Sequence, residues 1–283
     1  MRTTRTFVIT GGTDGIGAAV ARALFSRGDH VVVIGTDPEK GDRLAQEAAA
    51  APGGLDFVRA DLSLVSSTRR VIGEVVEAHP AIDGLVLCAR YFRTHRRVTA
   101  EGFEDNFALF YLSRVLFSYG LLKALEKAER PVIVNVAGPG HDTPIDWDDL
   151  QSAGRYDGVN AMFMTGRLND LLGVDFARRR GEGPVKYVLF HPGTTSTSFA
   201  GEFDAPTAAF IEHQKSVAKP ATEVVPPLLR LLDSPPAPPL TAFSVTHGQL
   251  PLSEALFSPA LAARLADITA HLLESESVRH PGR

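Results

Sequence analysis

The feature that most constrains this chain lies in its first strand-to-helix turn. An apolar run, Phe7-Val8-Ile9-Thr10, leads directly into Gly11-Gly12-Thr13-Asp14-Gly15-Ile16-Gly17, and Ala18 to Leu24 follow with helical spacing. Each glycine has a physical task there. Gly11 permits the tight turn, Gly15 lets a pyrophosphate approach the backbone, and Gly17 lets the helix pack on the strand. The helix start then offers free N–H groups and partial positive charge to a phosphate. A turn of this kind belongs to a βαβ unit and is foreign to bundles and sandwiches.

The rest of the chain repeats that unit. Apolar runs of strand length fall at 6–10, 30–34, 55–59, 84–88, 132–136, 185–190 and 242–245, and helix-periodic stretches lie near 18–27, 40–50, 66–78, 103–128 and 160–180. Continuous rather than alternating apolarity in the strands implies helices on both faces. The expected fold is therefore α/β, a Rossmann-like doubly wound parallel sheet of about seven strands. With 283 residues, 44% of them hydrophobic, one domain over 1–283 is expected to bury roughly 75% of the unfolded surface. Two stretches break the rhythm: a lengthened polar loop at about 139–160, and a segment at about 194–219 that reads as a lid. Ser63 and Ser66 stand where a helix cap is expected.

The formal net charge of −4 gives no pull towards nucleic acid or anionic membrane. The densest basic stretch, Arg90 to Arg97, reads as a solvated loop at the mouth of the site, where Arg93 or His95 could touch substrate. No signal-peptide core opens the chain and no apolar run reaches the ~20 residues of a membrane span, so a cytoplasmic protein without membrane partners is expected. Cys88 is the one cysteine, which excludes an intrachain disulfide. No His/Cys/Asp/Glu grouping has metal-ligand spacing, and no Gly-x-Ser-x-Gly elbow is present.

The Thr10-Gly11…Gly15-Ile16-Gly17 turn resembles that of the short-chain dehydrogenase/reductase superfamily, and further landmarks fall in family order. Asp61-Leu62 is similar to the pair that contacts adenine. Cys88-Ala89-Arg90 takes the place of the family's Asn-Ala-Gly strand end, and Pro192-Gly193…Thr197 that of the motif holding the nicotinamide carboxamide. The resemblance implies a nicotinamide dinucleotide bound by Gly11, Thr13, Asp14, Gly15, Ile16, Gly17, Thr36, Asp61, Leu62, Cys88, Ala89, Arg90, Arg167, Pro192, Gly193 and Thr197. An acid at the end of the second strand would favour NAD, but Gly35 stands there, with Thr36 and Lys40 available to a 2′-phosphate. NADP(H) is the expected cofactor.

The family's chemistry uses an Asn, a Ser and a Tyr-x-x-x-Lys pair. Here those positions read as Phe110, Gly138, Phe163 and Arg167. Phenylalanine cannot give a proton, and losing a general acid typically costs ~10²–10⁴ in rate. Tyr156 is the nearest alternative acid, but Asn160 rather than a base stands four residues on. Arg167 keeps a cation for the ribose, although a guanidinium relays no proton at neutral pH. A site without tyrosine suits an aromatic ketone flanked by a phenol, which carries its own donor. His141, Phe163, Phe199 and Phe203 are the candidate substrate contacts, with Phe210 further along the lid. The chain thus resembles the tyrosine-lacking ketoreductases of aromatic polyketide and antibiotic biosynthesis, such as the angucyclinone type. Two other readings share the same residues: a non-redox cyclase or dehydratase, and a cofactor-binding pseudoenzyme acting through a partner protein. Oligomeric state is left open. Relatives often dimerise through the helices here at 103–128 and 160–180.

Overall fold

Phe7, Val8 and Ile9 are all fully buried, although consecutive strand residues point to opposite faces. That requires cover on both sides, and the computed structural model supplies it. It describes residues 4–197, 199 and 201–279. In chain order, β1 (Thr6–Thr10), α1 (Gly15–Ser26), β2 (His30–Gly35), α2 (Pro38–Ala49), β3 (Gly54–Arg59), α3 (Val65–Ala78) and β4 (Gly84–Leu87) form the first half. A short β5 (Phe92–Arg93) precedes a broken helix made of α4 (Asp105–Phe107), a π-turn segment over Ala108–Leu112, α5 (Ser113–Gly120) and α6 (Leu122–Leu125). Then come β6 (Val132–Val136), α7 (Gly158–Arg180) and β7 (Lys186–His191). The expected lid holds β8 (Thr195–Ser196), β9 (Gly201–Glu202), α8 (Ala205–Val217) and the start of β10 (Lys219–Pro220); its Ser198 and Ala200 lie outside the described residues. The chain continues with α9 (Val225–Asp233), β11 (Leu240–Ser244), β12 (Gly248–Leu250) and α10 (Pro259–Arg279).

The main sheet runs β12-β11-β7-β6-β4-β1-β2-β3, all parallel except β12, which pairs antiparallel with β11. The architecture is the expected Rossmann-like α/β sheet, with eight strands rather than about seven. The added strand is the three-residue edge Gly248-Gln249-Leu250, too short and too polar to show as an apolar run. On one face Val20, Leu24, Leu44 and Leu228 cover Phe7, Ile9 and Val33; on the other Val71, Val75, Phe117 and Leu168 cover Val8, Val32 and Leu85. Each fully buried side chain of this size contributes about 1.5–3 kcal/mol. The order reverses between β1 and β4, and the crevice at such a switch point, beyond the strands' carboxyl ends, is where ligands bind.

Two local features differ from the sequence reading. α3 is capped neither by Ser63 nor by Ser66: the carboxylate of Glu101 accepts from Val65 N at 2.5 Å and Ser66 N at 3.0 Å. A distant acid thus satisfies free N–H groups and complements the helix dipole. α10 lies along α7 and reaches across to α3, where Arg69 donates to Glu276 at 2.9 Å, while Tyr111 and Thr269 share a 2.8 Å hydrogen bond beneath it. Among the described residues no helix is long and apolar enough to cross a membrane.

Candidate active site

The glycine turn has the tightness its residues imply. Gly11 has φ +64°, and a Cβ there would stand 2.7 Å from Ala89 Cα, so the backbones of β1 and β4 touch at the switch point. A Cβ on Gly17 would stand 2.4 Å from the Gly11 carbonyl oxygen. Gly15 (φ +50°) lies under the methyl of Thr197, which brings the Pro192–Thr197 segment over the turn. Asp14 caps α1 by accepting from Gly15 N at 2.6 Å, and its other oxygen binds Lys40 Nζ. Gly35 is compelled by Thr13: a Cβ at 35 would meet Thr13 Oγ1 at 2.6 Å, so β2 has no room to end in an acid. Arg59 Nε donates to the Thr36 carbonyl at 3.3 Å, placing a second cation at the end of β2. Asp61 accepts from Ser63, Leu62 turns into the core, and burial pushes the Cys88 thiol up to about 12. The cradle fits a dinucleotide: a glycine turn opens onto the start of α1, whose free N–H groups suit a pyrophosphate, and Lys40 and Arg59 stand by the end of β2.

At the reacting end the structure turns one pair of the four expected family positions away from the strand ends. Phe110 sits in the π-turn segment and is buried, with the guanidinium of Arg114 at 4.3 Å and that of Arg90 at 5.3 Å from its ring. Gly138 (φ +69°) follows β6, and a Cβ there would face the His191 ring at 3.7 Å. Phe163 and Arg167, however, do not form the i, i+4 pair facing the cofactor. Phe163 packs its ring 4.8 Å from that of His141. Arg167 is buried beneath α10, donating to the Leu256 carbonyl at 2.6 Å and pairing with Asp170 at 3.2 Å. The pair at the strand ends is one residue earlier. Met162 takes Arg90 on its sulfur, and the missing side chain of Gly166 looks towards the Ala137 carbonyl. Since α7 is buried on nearly every side from Met164 to Phe176, apolar periodicity could not set its rotation. Replacing Arg167 with alanine is expected to leave Asp170 buried with only its hydrogen bond from Gly140 N, at a cost of about 3 kcal/mol. In a chain of this size that lowers Tm by roughly 10 °C, read by calorimetry; a Tm unchanged by Arg167→Ala would restore the cofactor-facing reading.

Tyr156 is not a displaced acid at this position. Its hydroxyl lies 3.3 Å from Glu104 Oε1 and 3.4 Å from the Arg93 carbonyl, and burial, with Glu104 beside it, raises its pKa. Arg93 likewise turns away from substrate. It is buried against Asp105, reaches Glu202 of β9 and stacks on Tyr91, while His95 also pairs with Glu202 at 3.1 Å. These contacts pin the base of the lid. Phe203 packs on Phe92, Phe199 (φ +46°) is half-buried, and Phe210 on α8 is exposed.

A buried polar network, not legible in the sequence, holds the strand ends. Arg114, 1% exposed, donates to Asn135 Oδ1, to the Val136 carbonyl at 3.0 Å and to the Ala89 carbonyl at 3.1 Å, bridging β6 and β4. Burial lowers its pKa to about 9. Asn135 donates to Asn169 and Tyr187, and Asn169 donates at 2.8 Å to the Phe110 carbonyl, which the π-turn frees. Among the described residues no carboxylate pairs with Arg114 or Arg90, so the two guanidiniums set against the Phe110 ring have no acidic partner there. The sequence clue was slight: one amide in the apolar run Val132-Ile-Val-Asn-Val and one arginine in an apolar helix.

A cleft of about 290 Å³ adjoins Gly138, lined by Pro139, His141, His191, His247, Leu256 and Phe257 among others. The pKa of His191 is lowered by burial and then by neighbouring His141 and His247. Its Nδ1 accepts from Gly193 N at 3.0 Å, which leaves the proton of the neutral ring on Nε2, towards Gly138.

The comparisons with known proteins agree with this geometry. The family model for short chain dehydrogenase matches residues 5–148. A protein of Streptomyces sp. (strain C5), provisionally named daunorubicin C-13 ketoreductase DnrU, is 30% identical over 224 residues, covering 78% of this chain and 77% of that one. Human polyprenol dehydrogenase is 29% identical over 162 residues, covering 55% of this chain and 49% of its own, so the match spans about half of that relative. Among solved structures, a short-chain dehydrogenase from Streptomyces avermitilis superposes with a TM-score of 0.64 at 19% identity, covering 100% of this chain and 99% of its own. With its glycine turn, strand order and family match in agreement, the chain belongs to the short-chain dehydrogenase/reductase superfamily of oxidoreductases, whose members bind NAD(P)(H).

Proposed function

We propose that the chain is an NADPH-dependent ketoreductase acting on a bulky aromatic ketone, with Arg90 in place of the missing tyrosine. One observation carries this reading: the Arg90 guanidinium lies between the Phe110 ring and the Met162 sulfur, across two of the vacated family positions. Bound NADPH supplies the hydride. The residues then have to manage the negative charge that grows on the ketone oxygen. A cation already in place where that charge develops lowers the barrier strongly, because nothing need reorganise during the reaction. Arg90 supplies it from one side. His191 offers an Nε2–H hydrogen bond from the side of Gly138, as a neutral donor rather than an acid. Neither group gives up a proton at neutral pH, so the proton comes from water or from a phenol beside the ketone. Phe163 and His141 form one wall, and Phe199 and Phe203 are the aromatic side chains that the lid offers to the substrate, Phe203 held by Phe92. The DnrU relative's name, a ketoreductase of an aromatic polyketide, supports the same substrate class.

For the cofactor, Gly35, Lys40 and Arg59 favour a 2′-phosphate that competes with Asp14 for Lys40. Lys40→Ala is expected to raise the Kd for NADPH by about tenfold, the equivalent of 1.4 kcal/mol, with that for NADH nearly unchanged. Equal effects on both, measured by fluorescence titration, would sink the NADPH assignment. The chain is proposed to work without a second copy on the α7 face, since α10 already packs along it. Stopped-flow absorbance at 340 nm with polycyclic quinones tests the reaction. NADPH oxidation coupled to alcohol formation supports it. Product with an unchanged cofactor spectrum would mean a cyclase, and binding without turnover a partner role.

A further inference from the structure

At the end of the sheet away from the glycine turn, three side chains distant in sequence converge. His30 opens β2 and pairs with Gly54, Asp56 lies two residues further along β3, and His79 follows α3 as its C-cap. Nε2 of His30 lies 2.9 Å and Nε2 of His79 3.0 Å from the same oxygen, Oδ2 of Asp56. The two rings stand 5.1 Å apart, and the three ligand atoms all fall within 4.8 Å of one another. The register makes room for this. Gly54 faces the His30 ring, and a Cβ there would stand 2.6 Å from its Nδ1. The side chains are 27%, 51% and 16% exposed for His30, Asp56 and His79, so an ion from solvent can reach them.

We propose that His30, Asp56 and His79 form a site for a divalent transition metal ion, zinc above all, with water completing the coordination. Two imidazoles and a carboxylate are a usual zinc ligand set, with bonds of about 2.0–2.2 Å. Ligand atoms around a tetrahedral ion of that size stand about 3.4 Å apart, so the two nitrogen–oxygen contacts open by a few tenths of an ångström to admit it, while the two ring nitrogens stay within 4.8 Å of each other. The site is remote from the reacting end: Gly35 lies five residue steps along β2 from His30, about 17 Å of strand. Its task is mechanical. β3 is the edge strand, and the ion ties it to β2 and to the end of α3. An ion held only by the folded chain raises stability by mass action.

The test uses the full chain, stripped with a chelator and titrated with zinc chloride in a calorimeter, alongside melting curves with and without zinc. One equivalent bound and a raised Tm are expected. His79→Gln and His30→Gln each keep a hydrogen bond to Asp56 but remove a ligand, and should weaken zinc at least about tenfold, a loss seen even for outer-shell partners. Co2+ provides a second readout through visible absorption that both variants lose. No zinc uptake at micromolar concentrations, or uptake undiminished in both variants, overturns the site. Either outcome leaves ketone reduction untouched.

Discussion

Arg90→Gln is expected to lower kcat for ketone reduction by roughly 10²–10³-fold, the loss typical of removing one oxyanion donor. That corresponds to about 2.7–4 kcal/mol of barrier. The argument rests on position. Arg90 occupies the last place of the strand-end motif, lies over Phe110, touches Met162 and has no carboxylate to neutralise it among the described residues. Glutamine keeps length and hydrogen bonding but removes the charge. Binding of NADPH should weaken far less than kcat falls, because the glycine turn and Lys40 lie at the other end of the cofactor cradle. Arg90→Lys, which keeps a compact cation without the planar fork, should recover part of the rate. A kcat for Arg90→Gln equal to that of the parent chain would remove Arg90 from the reaction and leave His191 as the sole donor proposed.

Gly11→Val is expected to abolish useful cofactor binding, raising the Kd for NADPH at least about 100-fold. Two costs combine. A branched residue at φ +64° is strained by ~1–3 kcal/mol. Its Cβ would also meet Ala89 Cα at 2.7 Å and Ala89 N at 2.8 Å, and neither is a side chain that can swing aside. The crevice between β1 and β4 must open, and the pyrophosphate loses its seat; about 2.7 kcal/mol is enough for 100-fold. Gly73→Ala is the control, since nothing lies within 4 Å of a Cβ there and the change should slightly favour α3. Far-UV circular dichroism separates lost binding from lost folding. A folded Gly11→Val chain that binds NADPH normally would place the cofactor elsewhere.

Much of the candidate site was legible because its signals are local. A glycine that must sit at positive φ between strand and helix leaves its mark within seven residues, as Gly11 to Gly17 do. Phe110 and Gly138 were read as family positions by the same kind of local step, each counted from a strand or helix that the apolar pattern defines. The rotation of α7 was not. Phe163 and Arg167 imitate the shape of the tyrosine and lysine they were aligned with, whereas Met162 and Gly166 carry no chemistry to attract notice. Only packing against α10 and β6 reveals which pair faces the strand ends. Arg114, Asn135 and Asn169 were missed because a polar residue in an apolar run does not say what it will bond.

The order of strands and helices, the burial of the sheet on both faces and the phosphate-binding turn were written in the chain itself, since each depends on residues a few places apart. Tertiary structure alone decided which side of α7 meets the reacting groups, that Glu101 caps α3, and that His30, Asp56 and His79 meet, the last pair separated by 23 residues and the first by 26. Such contacts are set by strand register and by how helices seat on the sheet. Register and seating follow from the whole core packing at once, and no short stretch of sequence contains them.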